Sequence, residues 1–157
     1  MIALEPVAYV SSSRGVALDD DWDAETATIQ LVEEFDAVAL AGLSSFSHVE
    51  VLFHFHLVDT HDIMKGARHP RGNRDWPLTG IFAQRGKARP NRLGSTICRL
   101  VRVEGTTLTV SGLDAVDGTP VLDIKPVMRD FLPRGEFHEP PWAAELMREY
   151  WNRDDRP

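Results

Sequence analysis

Between Gly80 and Lys125 the chain concentrates charged and backbone-special residues. Arg85, Lys87, Arg89, Pro90, Asn91, Arg92 and Gly94 come first, then Asp114, Asp117, Gly118, Thr119 and Pro120, and finally Asp123 and Lys125. Closely spaced arginines in a loop stiffened by proline and glycine suit oxyanions, because a guanidinium forks two parallel hydrogen bonds onto a carboxylate or phosphate. In the turn Asp117-Gly118-Thr119-Pro120, Gly118 lets the backbone come close to a ligand. His54 and His56, with His48 and His61 nearby, raise the question of a metal. A His-x-His pair without a Cys or an HExxH pairing is a weak signature, and no metal is expected. Cys98 has no base beside it in the sequence and reads as structural rather than nucleophilic. The chain carries no GxSxG, Walker A, CxxC or Rossmann GxGxxG motif. These residues alone support binding of an anionic or polar ligand, and no more.

The elements that must position them are mainly strands. Pro6–Val10 is apolar and β-prone, and Thr28–Val32 alternates. Between them, Asp19–Asp23 is too acidic for a core and reads as a loop, with Trp22 either covering the barrel end or stacking on a ligand ring. Asp36 caps a short helical turn that Gly42 closes. Val49–Val58 is the clearest strand, with Val49, Val51, Phe53, Phe55 and Leu57 on one face and Glu50, Leu52, His54 and His56 on the other. Residues 60–79 show no period and form a long loop of the kind that is functional or mobile. Gly80–Ala83 returns to strand character, and Ser95–Val103 with Thr106–Ser111 forms a hairpin around Glu104-Gly105. Val121–Lys125 places Asp123 and Lys125 on one face, either as an ion pair or as part of a site. After a connector rich in proline, Trp142, Leu146, Met147, Tyr150 and Trp151 form one helical stripe for core or subunit packing.

The 157 residues suit one domain, with the single Cys98 excluding an internal disulfide. No leader pattern and no run of about 20 apolar residues is present, so a cytoplasmic protein without membrane contact is expected. The net charge of −7 is unevenly spread. Residues 1–64 hold twelve acids and one base (net −11), residues 65–102 ten bases and one acid (net +9), and residues 103–157 eleven acids and six bases (net −5). The basic segment either answers the acidic ones in surface ion pairs or forms an anion-binding face.

Three blocks carry a family resemblance. They are Gly42-Leu-Ser-Ser-Phe-Ser-His48 with the strand after it, Gly80-Ile-Phe-Ala-Gln-Arg85 through Arg89-Pro-Asn-Arg-Leu-Gly94, and Gly112 through Asp117-Gly-Thr-Pro120 to Asp123-Ile-Lys-Pro126. They resemble the TsaA/TrmO-like family of S-adenosylmethionine-dependent β-barrel methyltransferases, in a short form without the C-terminal extension domain. Founding members methylate N6 of threonylcarbamoyladenosine beside the tRNA anticodon.

The resemblance implies a small β-barrel over residues 1–132 with a long loop insertion. Residues 133–157 form a connector and an amphipathic helix packing on the barrel or on a partner subunit. It also implies a homodimer with S-adenosylmethionine near the interface. Cofactor contacts carried over by motif are His56, Leu57, Arg85, Ser95, Ala115, Val116, Asp117 and Gly118, with Trp22 standing in the region of the family's N-terminal cofactor loop. Arg89, Asn91, Asp117, Asp123 and Lys125 are candidates near the methyl acceptor, and Asp117 is the one best suited to orient the nucleophile or take its proton. The acceptor is expected to be tRNA. A smaller acceptor, or a non-catalytic module that binds the cofactor, is the alternative. Arg92 and Val127 depart from the family's proline and aromatic at those positions.

Overall fold

The computed structural model describes residues 1–16 and 18–151. Six strands close into a barrel: β1 (Ala8–Ser12), β2 (Thr26–Leu31), β3 (His48–His54), β6 (Leu93–Glu104), β7 (Thr107–Ser111) and β8 (Pro120–Pro126). Their order around the wall is β1-β2-β7-β6-β3-β8, and every neighbouring pair is antiparallel. Period-two alternation builds the interior, since side chains two apart share a face. Val10, Ile29, Val49, Val51, Phe53, Cys98, Leu108, Val110 and Val121 fill it and are essentially without solvent. Between β3 and β6, β4 (Ala67–Arg68) and β5 (Thr79–Gly80) pair as a small separate ribbon.

Several elements differ from the sequence expectation. The first strand starts two residues later, at Ala8, and the hairpin turns at Gly105-Thr106, where Gly105 takes φ +57°. Asp36 precedes a 3-10 turn (Ala37–Leu40) without a side-chain cap. The alternation of Val49–Val58 outlasts the strand: β3 stops at His54, His56 N–H turns back to His54 O at 2.8 Å, and Phe55 N–H reaches Arg92 O at 2.8 Å. His54 and His56 therefore do not share a strand face. Of the expected 80–83 strand only Gly80 pairs, together with Thr79 before it, and Ile81–Ala83 forms a 3-10 turn. The C-terminal helix, α1, covers Pro141–Leu146 alone, and irregular turns carry Met147, Tyr150 and Trp151 onward. The part of that segment beyond 151 lies outside the described residues.

In a closed antiparallel barrel of this connectivity, alternate connections emerge at one end. The β1–β2 loop (13–25), the long β3–β6 connection (55–92) and the β7–β8 turn (112–119) all leave from what we call the upper end. The lower end holds the β2–β3 connection and the 105–106 turn.

Cys98 sits inside this wall, 2% exposed, and burial before all else, with Asp114 adding to it, pushes its thiol from 9.0 up to about 12. The unfolded thiol ionises at lower pH than the folded one, so this contribution to stability is complete below pH 9 and is lost as the pH rises towards 12. Alkaline titration of the melting temperature is expected to fall less steeply in Cys98→Ala than in the parent protein. The native thiol is expected to resist a disulfide reagent at pH 8 until denaturant is added; rapid native labelling would contradict this placement.

Candidate functional site

Most of the residues singled out in the sequence gather at the upper end. The Ala115–Gly118 turn is clamped to β1. Asp117 N–H donates to Arg14 O at 2.8 Å, Gly118 N–H donates to Val10 O at 2.8 Å, and Ser12 N–H donates to Asp117 Oδ1 at 3.0 Å. Ala115 and Val116 are buried while Asp117 and Gly118 face solvent, and among the described residues Asp117 Oδ2 has no hydrogen-bond partner. Gly118 needs its glycine: φ is +75°, and a Cβ there would point at His56 Nε2, 3.9 Å away.

His56 thus faces that turn with its Nε2, and its Nδ1 is buried without a hydrogen-bond partner among the described residues. An orphaned ring nitrogen costs free energy unless a ligand completes it. Together with the glycine cradle, it is what a polar ligand between the 55–58 and 115–118 turns would satisfy. Leu57, beside it, is 62% exposed. His54 is held below its ordinary value by burial, then by the charges of Arg92 and His56, so it stays neutral near pH 7.

The arginine loop is built through backbone carbonyls rather than carboxylates. Arg85 Nη2 donates to Ser95 O, Arg89 Nη1 to Gln84 O at 2.7 Å, and Arg92 Nη1 to Val58 O at 2.8 Å. Each keeps its positive charge. Asn91 is exposed at φ +62° and Arg92 follows at φ +51°, a left-handed pair that swings the loop into β6. Arg92, the departure from the family pattern, therefore ties the 55–58 turn to this loop. Ser95 turns its hydroxyl to the outer wall, where Glu50 Oε1 accepts it at 2.7 Å.

Trp22 is placed otherwise than a ligand-stacking ring requires. It is 2% exposed, Arg14 lies 4.0 Å over its ring, and its Nε1 donates to Leu18 O at 3.1 Å. Asp123 and Lys125 pair with each other on the outer wall of β8, beside Leu52 and Glu50 of β3 and away from the upper-end turns. Among the described residues no three His, Cys, Asp or Glu side chains come together as a metal site would need.

The sequence reading missed a polar knot. The Asp114 carboxylate accepts from the Thr96 hydroxyl inside the barrel and from the Tyr150 hydroxyl of the C-terminal segment. Burial, then the Asp114 charge, pushes the Tyr150 phenol well above its ordinary value, so it remains a donor. The same segment binds the other two upper loops: Trp22 N–H donates to Tyr150 O at 2.9 Å, Asp21 N–H to Glu149 O at 3.1 Å, and Trp76 Nε1 to Glu145 Oε2 at 2.8 Å. Arg71 joins the long connection to the acidic loop through Asp20 Oδ1 at 3.0 Å. Tyr150 showed in the sequence only as part of an apolar stripe, and nothing there marked Asp114 as its partner.

The sequence model of the tRNA-methyltransferase O N-terminal domain matches residues 17–131, which include the long 55–92 connection, the 112–119 turn and most of the 13–25 loop. The chain belongs to that family. Its barrel superposes on the crystal structure of TrmO from Pseudomonas aeruginosa with a TM-score of 0.72 at 30% identity, covering 90% of this chain and 62% of that one. A tRNA (adenine(37)-N6)-methyltransferase of Mus musculus is 44% identical over 93 residues, which are 59% of this chain and 21% of that protein. A probable S-adenosyl-L-methionine-binding protein of Methanothermobacter thermautotrophicus is 37% identical over 134 residues, 82% of this chain and 92% of that protein. The chain thus spans about a fifth of the mouse member of the family and under two thirds of the Pseudomonas one. The strap that ties down the upper end, residues 141–151, lies beyond the segment the family model matches.

Proposed function

We propose that the chain is an S-adenosylmethionine-dependent methyltransferase acting on N6 of threonylcarbamoyladenosine in tRNA. The observation that carries the reading is His56, whose Nε2 faces the Gly118 turn and whose Nδ1 is buried without a hydrogen-bond partner among the described residues, within a fold whose relatives bear methyltransferase and cofactor-binding names. Bound between these turns, S-adenosylmethionine supplies an electrophilic methyl group on a sulfonium. His56 and the Ala115–Gly118 backbone would hold its polar edge, and Arg85, an exposed residue, would pair with its carboxylate. The ureido N6 would gain the methyl and lose its one proton, with the electron pair of the broken bond left on the departing sulfur. Asp117 would be the residue to orient that N–H and receive its proton. Alignment rather than acid strength carries most of the rate, since a well-placed pair of reactants gains up to roughly 7–11 kcal/mol over free encounter.

Two clefts of a single chain are lined by other residues, one of about 420 Å³ by Leu31, Phe35, Leu40 and Phe46 and one of about 630 Å³ by Asp130–Arg134. The reading includes a homodimer in which the second copy completes the cofactor site. A tRNA substrate fits a cytoplasmic protein.

The test is a nucleoside profile of tRNA carrying the unmethylated base, incubated with the protein and S-adenosylmethionine. One added methyl on that nucleoside is expected, and Arg85→Ala is expected to weaken S-adenosylhomocysteine binding about tenfold or more through loss of a charge-assisted pair. Label appearing in a small metabolite and not in RNA transfers the reaction to a smaller acceptor. Absence of both transfer and cofactor binding removes the reading.

A further inference from the structure

We infer that Phe82, on a turn held to the Arg68 backbone and five residues before Lys87, forms with these two cations a receptor for an unpaired RNA nucleotide, the ring stacking on the base and the cations meeting its phosphate. The ligand class rests on the tRNA reading above; the surface itself does not.

Phe82 is 80% exposed, yet its support is rigid. The 3-10 turn that carries it is anchored by Ile81, which is 2% exposed and donates its N–H to Gly66 O at 2.9 Å. The Gln84 amide then donates to Arg68 O at 3.1 Å and to Thr79 O at 2.6 Å, locking the turn onto the β4–β5 ribbon. One exposed aromatic is ordinary on a protein surface and carries no argument alone. Two further observations give it a ligand. Arg68 Nε is buried with no acceptor among the described residues, and the Arg68 guanidinium lies so close under Gly86 that a Cβ there would stand 2.8 Å from its Nη2. A buried donor without an acceptor is costly and calls for an incoming oxyanion.

The local charge has also not been spent. Of the ten bases in residues 65–102, only Arg71 and Arg102 meet a carboxylate among the described residues, and Lys87 is exposed. A π-face and cations without carboxylate partners among the described residues, carried by the β4–β5 ribbon and the loop that follows it, are the two components of single-stranded nucleic-acid recognition, in which bases stack on aromatic rings and cations follow the phosphates. A duplex presents no free base to the ring, so the surface selects a loop.

The experiment titrates the full chain with a labelled RNA hairpin bearing an anticodon-length loop, and with the same stem as a closed duplex, across a salt series. Phe82→Ala is expected to weaken hairpin binding about tenfold, within the range of stacking aromatics, and to leave duplex binding unchanged. Phe82→Trp is expected to retain binding, and Phe82→Leu, apolar but without a π-face, to lose it. Lys87→Ala is expected to lower the salt slope by about 0.7, as for one single-strand phosphate contact. Light scattering runs alongside. Unchanged hairpin affinity in Phe82→Ala overturns the inference, and if the variant also halves the particle mass, Phe82 belongs to a contact between copies. Hairpin binding that depends on Phe82 without methyl transfer would remove the enzyme reading and keep this surface. Methyl transfer with a Phe82-independent affinity would do the reverse.

Discussion

Asp114→Ala is expected to be among the most damaging single substitutions at the upper end, lowering stability by about 3 kcal/mol, since hydrogen bonds to charged groups are worth roughly 1.5–3 kcal/mol each. In a domain of this length that corresponds to a melting temperature about 6–12 °C lower. The carboxylate is the common acceptor of Thr96 in the barrel wall and Tyr150 in the C-terminal segment, so its loss strands one hydroxyl and releases the other. Tyr150→Phe removes only one of the two bonds and should cost about half as much. Because both substitutions act on one network, the double variant is expected to be little worse than Asp114→Ala alone. Thermal melts of the three variants decide the matter. Additive losses, or a loss below about 0.5 kcal/mol for Asp114→Ala, the size of an ordinary surface change, would show the knot to be incidental.

Gly94→Ala is expected to cost about 1–3 kcal/mol by overpacking, although alanine is the smallest possible change. Gly94 pairs with Phe53 across β3 and β6, and an added Cβ would lie 2.5 Å from Cε2 and 2.6 Å from Cζ of that ring. Phe53 has little room to yield: it is 1% exposed and sits edge-to-face against Phe55 at 5.3 Å. Backbone strain is not the cause, since Gly94 is not among the glycines at positive φ. The cost should therefore shrink when the ring is shortened, and Phe53→Leu in the Gly94→Ala background is expected to recover part of it. Chemical denaturation measures both. A Gly94→Ala protein as stable as the parent, or no coupling to Phe53, would refute the packing account.

The strand pattern was legible because burial in a barrel writes itself as alternation. Val49, Val51 and Phe53 point inward as the spacing dictates, and Asp123 and Lys125 share the outer face of β8. Alternation does not announce where it stops. Phe55 and Leu57 continue the rhythm of β3, but the chain turns at His56 because its backbone finds partners in the Arg92 loop, which no local window contains. Trp22 was ambiguous for a related reason. Only the approach of Arg14 and the C-terminal segment decides whether its ring is open. The charge asymmetry between residues 1–64 and 65–102 was visible as numbers, whereas its division was not. Arg71 meets Asp19 and Asp20, while Arg85, Arg89 and Arg92 turn to carbonyls and stay charged. Such choices depend on loop geometry, and the sequence carries them only diffusely.

The strap has a consequence for the order of assembly. Tyr150 closes onto Asp114 across 36 positions, and its carbonyl takes the amide of Trp22, 128 positions earlier by their numbers. Contacts this distant are slow to form, because chain-closure entropy is lost before they return anything. The barrel wall, whose β6–β7 hairpin is local, can form without them. During synthesis from the N-terminus, the upper end then waits for residues near 150, and a nascent chain has its wall before it has a completed site.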